Sequence, residues 1–461
     1  MARIITIAKG AVDWQIFQQE NGFADITLEG FFIQADEQEN KVWVRLVCEN
    51  TQMSVIEWFT ADIAENGCFT AIIKEVPAGG LYRIETSLNP YLGGVEWGYQ
   101  GDSIFHIGVG DLYVIAGQSN SSGYGRTPVF DPPDPYIHLF RNREDWDMAT
   151  HPLNDSTCTA HEINSEVKIS AHSPYLSFAK TIRQHINYPI GLIQTAKGGS
   201  ALSSWNPSES AELYNNMIHV VNRCTNQNMK IAGILWYQGC SDCTKELSES
   251  YLERFSNMVK RIRKDLNDEK LPIFTVQLNK TITSSGNVGL GQYWSALREA
   301  QRQAAKKIQN VFVVPTIDLG LSDGIHNSSI SNIVIGERLG RVVLSEIHGK
   351  NVYGKAPNIK SANLIDNQRI AVEFENVYQG INTLELMPAD MQFKVCDETG
   401  DLEIKNIEVA RNKVYISISK ECGKACNVSF ATNLTPHSNI PYDMGSGLPL
   451  LSFYKFSVNK K

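Results

Sequence analysis

Two short segments, far apart in the chain, contain the residue types of a nucleophile, a base and an acid. The first, Gly117-Gln-Ser-Asn120, directly follows the apolar run Leu112–Ala116. In the second, Asp323-Gly-Ile-His326, a carboxylate precedes an imidazole. A serine hydroxyl is a poor nucleophile until a base takes its proton, and an acid must hold that base in one tautomer. The predicted nucleophile, general base and orienting acid are, in that order, Ser119, His326 and Asp323.

Each segment also has a simpler interpretation. Ser119 and Asn120 could only form a turn or cap the next helix, and Asp-Gly is common in surface turns. The positions of the two segments relative to the predicted strands favour the catalytic interpretation. Leu112–Ala116 is predicted to be a buried strand, and open α/β sheets bind ligands where their strands end. Because the turn that contains His326 follows the last predicted strand, Val311–Ile317, both segments are expected at the same edge of the sheet.

Two other strand ends carry candidate hydrogen-bond donors for a negatively charged oxygen. Gly198 and Gly199 follow the predicted strand Ile190–Thr195, and paired glycines let backbone N–H groups approach such an oxygen. Gln238 follows Ile231–Tyr237 and can donate a side-chain N–H. The alternatives are a simple glycine turn and a buried amide that satisfies backbone groups.

Residues 121–173 have little periodicity, and a stretch this long is usually functional or partly disordered. Because it follows Ser119, we expect it to cover the site as a roof segment. Trp205 could stack on a sugar, although ordinary packing is the commoner role of such a tryptophan. The other predicted substrate contacts are Gln118, Asn120 and Ser200. The roof segment contains three histidines, at positions 151, 161 and 172, but in no recognised metal-binding spacing. We therefore predict no metal and no other cofactor.

From about residue 108 to 350, short apolar runs alternate with amphipathic segments. The predicted strands are Leu112–Ala116, Ile190–Thr195, Ile231–Tyr237, Ile273–Leu278 and Val311–Ile317, and the predicted helices include Tyr175–Ile186, Ser250–Leu266 and Tyr293–Ile308. This alternation implies a parallel sheet with helices on both faces, and five such strands predict a flavodoxin-like α/β domain. Residues 1–107 alternate in the manner of an N-terminal β-sandwich-like module, and residues 351–461 predict a C-terminal β module.

Composition narrows the class of protein. The 461 residues carry a net charge of -8, which argues against nucleic-acid and anionic-membrane partners. No run of apolar residues is long enough to span a bilayer. The N-terminus has no recognisable signal peptide, so a cytoplasmic location is expected. The odd count of nine cysteines favours free thiols over a disulfide framework.

Four segments together resemble the SGNH-type hydrolases, and more closely their sialate O-acetylesterase and acetylxylan esterase branch. These segments are Gly117-Gln-Ser-Asn120, Gly198-Gly-Ser200, Trp236-Tyr-Gln-Gly239 and Asp323-Gly-Ile-His326. The resemblance implies a flavodoxin-like catalytic domain that hydrolyses acetyl esters on carbohydrate. It also implies an oxyanion hole made by the N–H groups of Ser119 and of Gly198 or Gly199, together with Gln238. The branch usually has methionine where Ser121 stands and glutamate where Cys240 stands.

We therefore expect a carbohydrate O-acetylesterase, similar to sialate 9-O-acetylesterases, that works through an acetyl-enzyme on an acetylated carbohydrate. One alternative is an esterase for acetylated xylan or mannan oligosaccharides, or for another small acyl ester. A second alternative is a non-catalytic carbohydrate-binding protein on an esterase scaffold.

Overall fold

The computed structural model describes residues 4–33, 40–64, 66–89, 95, 98–168, 170–225, 230–282, 289–437 and 439–460. The first part of the chain contains β1 (Ile5–Lys9), β2 (Ile16–Gln18), β3 (Phe23–Phe32), β4 (Lys41–Cys48), β5 (Ser54–Thr60), β6 (Asp62–Ile63), β7 (Cys68–Pro77), β8 (Gly79–Asn89) and β9 (Tyr99–Gly117). The central part contains α1 (Ser119–Ser122), β10 (Ile137–Phe140), β11 (Trp146–Met148), α2 (Tyr175–Arg183), β12 (Ile190–Gln194), α3 (Glu212–Cys224), β13 (Gly233–Tyr237), α4 (Lys245–Asp265), β14 (Ile273–Val276), α5 (Leu290–Lys307), β15 (Val311–Val314) and α6 (Ser329–Glu346). The last part contains β16 (Asn358–Asp366), β17 (Arg369–Glu375), β18 (Ile381–Asn382), β19 (Phe393–Asp397), β20 (Gly400–Leu402), β21 (Ile404–Ala410), β22 (Lys413–Ile418), β23 (Asn427–Phe430), β24 (Tyr442–Asp443) and β25 (Phe453–Ser457).

The central sheet positions the site. Its strand order is β11-β10-β12-β9-β13-β14-β15, and every neighbouring pair from β10 to β15 is parallel. Counted along the chain, the five predicted strands lie in the order 2-1-3-4-5, which is that of flavodoxin-like sheets. Helix α2 packs on α6, and α4 packs on α5. The predicted α/β fold class with additional β modules is confirmed.

The roof segment differs from its prediction, because it contains strands. All four residues of β10 are buried, and β10 extends the parallel sheet beyond β12. Strand β11 then pairs antiparallel with β10 at the sheet edge. The prediction missed β10 because the apolar run is only four residues long and His138 interrupts it.

The N-terminal module is continuous with the central sheet through β9. The first half of this 19-residue strand pairs antiparallel with β8, and its second half pairs parallel with β12 and β13. Residues of β1, β3, β4, β7 and β8 form a separate hydrophobic core. The chain therefore passes from one core to the next within a single strand. The module boundaries at 107 and 350 stay predictions.

The C-terminal part contains two four-stranded antiparallel sheets around a core of its own. It is joined to the central part by Arg298 of α5, which is fully buried and donates hydrogen bonds to the backbone oxygens of Ala431 and Asn433. Cys422 and Cys426 form a disulfide, so the expectation of free thiols is wrong for this pair. Among the described residues, no helix is long and apolar enough to cross a membrane.

The short helix α1 is held in the core by one of its serines. The Ser121 hydroxyl donates to the Ala116 backbone oxygen at 2.9 Å and lies 2.6 Å from the Tyr175 hydroxyl. The hydroxyl of the next residue, Ser122, is also buried but has no hydrogen-bond partner. The two neighbouring serines are therefore equally buried and differently bonded.

We predict that Ser121→Ala lowers the free energy of unfolding by about 1–3 kcal/mol, because the buried Tyr175 hydroxyl loses its partner. Ser122→Ala is the matched control, since it removes a buried hydroxyl that bonds to nothing, and it should leave stability unchanged or raise it. Urea denaturation followed by tryptophan fluorescence measures both. Equal losses in the two variants would contradict this account.

Candidate active site

The ends of two segments remote in sequence meet at the carboxyl edge of the sheet. The Ser119 Oγ lies 2.9 Å from His326 Nε2, and His326 Nδ1 lies 2.7 Å from Asp323 Oδ2. An ionised carboxylate can only accept a hydrogen bond, so the imidazole proton lies on Nδ1 and Nε2 is free to accept the serine proton. These two contacts are the ones that the predicted roles of nucleophile, base and orienting acid require.

The acid is fixed by the turn that carries it. Asp323 Oδ1 accepts hydrogen bonds from the backbone N–H groups of Ile325 and His326, at 2.9 and 2.8 Å. Burial alone would raise the pKa of the Asp323 carboxyl, but the hydrogen bonds from His326 and these N–H groups outweigh it, and the pKa lies below its ordinary value. Asp323 is therefore a carboxylate at neutral pH.

Asn120 fastens the serine segment to the histidine segment. Its Nδ2 donates to the Ile325 backbone oxygen at 3.2 Å, and its Oδ1 accepts from the Asn327 N–H at 3.0 Å. The side chain is buried and both of its polar atoms are engaged. The predicted substrate contact is corrected, because Asn120 instead holds the residues on either side of His326 in place.

Three further residues that were predicted to contact substrate are instead buried and form contacts within the protein. Gln118 is buried, and its Oε1 accepts from the Gly239 N–H at 2.8 Å. The Ser200 hydroxyl donates to the Lys197 backbone oxygen and accepts from Trp205 Nε1 at 3.0 Å. Trp205 is 0% exposed, so its predicted stacking on a sugar is wrong. Its ring packs edge-on against Trp236 in the core.

Gln238 is not available as an oxyanion donor. Its Nε2 donates to Asp242 Oδ2 at 2.6 Å and to the Ser200 backbone oxygen at 3.2 Å, which uses both amide hydrogens. Its Oε1 accepts from the Tyr251 hydroxyl, and the residue is fully buried. The prediction of Gln238 as an oxyanion donor failed because the sequence does not reveal that its amide donates to the buried Asp242 carboxylate.

The backbone N–H groups predicted for the oxyanion hole differ in whether they already have a hydrogen-bond acceptor. Gly199 has a φ of 71° and open space around its Cα, and within the described residues neither its N–H nor that of Ser119 has an acceptor. The Gly198 N–H instead donates to Glu166 Oε1 at 2.6 Å. Two predicted backbone donors are thus free, and the third is engaged by a carboxylate of the roof segment.

Sequence reasoning missed two residues of this site, Tyr124 and Glu166. The Tyr124 ring stacks on the His326 ring, with centroids 4.8 Å apart, and its hydroxyl donates to Glu166 Oε2 at 2.5 Å. Burial and the bonded Glu166 carboxylate both raise the pKa of Tyr124, so the hydroxyl stays protonated. Both residues lie in the irregular roof segment, where no periodicity or motif could have indicated them.

Two clusters in the described chain bring a carboxylate and two histidines close enough to share a metal ion. They are Asp131 with His151 and His172, and Glu144 with His161 and His219. In the first, both histidines lie 3.1 Å from Asp131 Oδ2, but their rings stack at 27° and Lys180 already pairs with the same carboxylate. The Lys180 ammonium therefore already occupies the position of a cation beside this carboxylate. In the second, Arg223 pairs with Glu144.

Cys240 stands where glutamate is usual in the branch that the sequence resembles. Burial raises the pKa of its thiol to about 12, so the side chain is uncharged at neutral pH. It cannot replace a carboxylate beside the site, and Asp323 is the acid bonded to His326.

The family profile, the relative and the solved structure that resemble this chain are all described as carbohydrate esterases. The sequence profile of the family described as carbohydrate esterase, sialic acid-specific acetylesterase, matches residues 109–345. A probable carbohydrate esterase of Arabidopsis thaliana, At4g34215, is 29% identical over 254 residues, which are 51% of this chain and 90% of that protein. The crystal structure of XAC1771, a carbohydrate acetylesterase from Xanthomonas citri, has a TM-score of 0.68 at 18% identity, and the match covers 98% of this chain and 99% of that chain.

The chain shares the fold of XAC1771 over almost its whole length. The family profile covers just over half of the chain and includes every segment that surrounds Ser119. The chain therefore belongs to the carbohydrate esterase family of sialic acid-specific acetylesterases.

Proposed function

We propose that this protein is a serine esterase that removes O-acetyl groups from a carbohydrate through an acetyl-enzyme. The observation that carries the proposal is the continuous hydrogen-bond chain from Ser119 Oγ through His326 to Asp323, with distances of 2.9 and 2.7 Å. Family membership supports carbohydrate acetyl esters as the substrate class.

In the proposed first half-reaction, His326 Nε2 takes the Ser119 proton as the hydroxyl attacks the acetyl carbonyl carbon. The carbonyl oxygen becomes an oxyanion, which in this proposal accepts hydrogen bonds from the N–H groups of Ser119 and Gly199, and one such donor is typically worth about 3 kcal/mol. The ester C–O bond then breaks, and His326 gives the proton to the departing sugar oxygen, which leaves as a hydroxyl. Asp323 stabilises the imidazolium that exists between these two proton transfers.

In the second half-reaction, water attacks the acetyl-enzyme while His326 again acts as base. Acetate leaves, and the proton returns to Ser119 Oγ. The stacked Tyr124 ring shields one face of the imidazole, so the ring remains in the plane that joins Ser119 and Asp323. This holds the base in the same orientation for both half-reactions.

We predict that the protein hydrolyses p-nitrophenyl acetate and that Ser119→Ala lowers kcat about 10⁴-fold or more, because the nucleophile is lost. A brief reaction quenched in acid should yield a peptide that contains Ser119 and carries one acetyl group. Release of p-nitrophenol and mass spectrometry of the digest measure the two outcomes.

The matched control is Ser122→Ala, which removes a serine from the same short helix that bonds to nothing and should retain activity. If the wild type and Ser119→Ala are equally inert while the protein still binds glycan, the carbohydrate-binding alternative replaces the esterase. An acetyl group on another residue would refute Ser119 as the nucleophile.

For the substrate, we infer an acetylated sugar that carries a carboxylate, as sialic acids do. A groove of about 600 Å³ next to the site is lined by Arg126, Lys168 and His172, and no described residue that lines it is acidic. The Arg126 guanidinium lies 5.8 Å from the centre of the Tyr124 ring, which itself covers His326. The exposed Arg126, together with the exposed Lys168 in the same groove, favours an anionic sugar over a neutral xylan or mannan oligosaccharide.

We predict that replacing both Arg126 and Lys168 with alanine lowers kcat/KM for O-acetylated sialic acid about tenfold, mainly through KM. The same variant should hydrolyse acetylated xylo-oligosaccharides and p-nitrophenyl acetate at the wild-type rate, since neither carries a carboxylate. Steady-state kinetics on this panel at low and high salt provides the measurement. Equal losses on neutral and anionic substrates would rule out a role in charge recognition.

A further inference from the structure

A carboxylate of the roof segment lies inside the candidate site without a part in the proposed chemistry. Glu166 accepts the Gly198 N–H through Oε1 at 2.6 Å and the Tyr124 hydroxyl through Oε2 at 2.5 Å. Neither of these two contacts is with a Lys or an Arg. Its carboxylate is instead stabilised by hydrogen bonds from a backbone N–H group and a phenol, which are groups that a substrate could also use.

The two partners of Glu166 both belong to the immediate surroundings of the nucleophile. The residue before Gly198, Lys197, donates its N–H to the backbone oxygen of Gly117, close to Ser119 in the chain. Tyr124 stacks on His326, whose Nε2 contacts Ser119. The contacts therefore close a ring that runs from Ser119 through His326, Tyr124 and Glu166 to the glycine turn and back to the strand that ends at Gly117.

We propose that Glu166 is a specificity-determining residue, whose carboxylate oxygen occupies the position of the substrate's acyl oxygen at the Gly198 N–H. This inference rests on the proposed esterase function. An acetyl ester gains that third backbone donor only when Glu166 leaves it, and a carboxylate is a stronger hydrogen-bond acceptor than an ester carbonyl. A small ester that binds weakly forms no new contact that regains the free energy lost when Glu166 leaves the Gly198 N–H.

A sugar substrate can regain this free energy through a new hydrogen bond to Glu166. The Tyr124 hydroxyl holds the second oxygen of the same carboxylate, so Glu166 stays beside the cleft when Oε1 is released. There Oε1 is an acceptor for a hydroxyl of the sugar ring that carries the acetyl group. Glu166 thus disfavours simple acetyl esters relative to esters on a polyhydroxylated ring.

The test uses the full-length protein and the variants Glu166→Ala and Glu166→Gln. Glu166→Ala should raise kcat/KM for p-nitrophenyl acetate about tenfold, because the Gly198 N–H becomes free. Glu166→Gln should give a smaller gain, since its amide oxygen is still an acceptor but carries no charge. For an acetylated sugar, kcat/KM should stay unchanged or fall, because the acceptor for the ring hydroxyl is lost.

Phenylboronic acid, which forms a tetrahedral adduct with an active serine, supplies a second readout. Its inhibition constant should fall in Glu166→Ala by the same factor by which kcat/KM for p-nitrophenyl acetate rises, an effect that a purely structural role would not produce. If Glu166→Ala does not fold, Glu166→Gln, which is isosteric, decides alone on the direction of both changes.

The outcomes separate this inference from the proposed function. An active wild type, with either variant unchanged or slower on p-nitrophenyl acetate and no better inhibited by the boronic acid, overturns the role of Glu166 and leaves the esterase intact. If the wild type and both variants release no p-nitrophenol and none is acetylated at Ser119, the esterase proposal fails, and this inference fails with it.

Discussion

The rest of the site depends on the orientation of one imidazole ring. His326 must present Nε2 to Ser119 and Nδ1 to Asp323 at the same time, and a rotation of the ring would break both hydrogen bonds. Three independent contacts prevent this: the Asp323 carboxylate on one edge, the stacked Tyr124 ring on one face, and Asn120, which bonds the backbone on both sides of the histidine. The Asn120 side chain, which directly follows Ser119 in the chain, thus positions the histidine segment.

The sheet makes this convergence possible. Strand β9 ends at Gly117, whose φ of 123° turns the chain where the Tyr237 backbone leaves no room for a Cβ. The serine is therefore presented at the carboxyl edge, next to the ends of β12 and β13. Buried hydrogen bonds of the Gln118 and Gln238 side chains then join the three strand ends to each other. Exposed positive charge lies beside the site, on Arg126 and Lys168.

Sequence alone predicted the parts that depend on local pattern. Apolar runs and helical periodicity located the five main strands and helices α2, α4 and α5, and the end of each strand indicated where polar side chains would gather. It failed where a residue's role depends on a partner remote in sequence. Gln238 is a plausible donor until Asp242 and Ser200 are seen to use both of its hydrogens, and Trp205 is a plausible sugar platform until its burial is known. Tyr124 and Glu166 lie in a segment without periodicity, so only the three-dimensional structure reveals them.

The central claim is that His326 activates Ser119 and no other serine. Labelling with a fluorophosphonate, followed by mass spectrometry of the digest, tests this directly, because the probe reacts with a serine only when a base takes its proton. The account predicts one phosphonylated residue, Ser119, and loss of the label in His326→Ala, while the protein remains folded. A label on any other serine, or equal labelling of Ser119 with and without the imidazole, would contradict it.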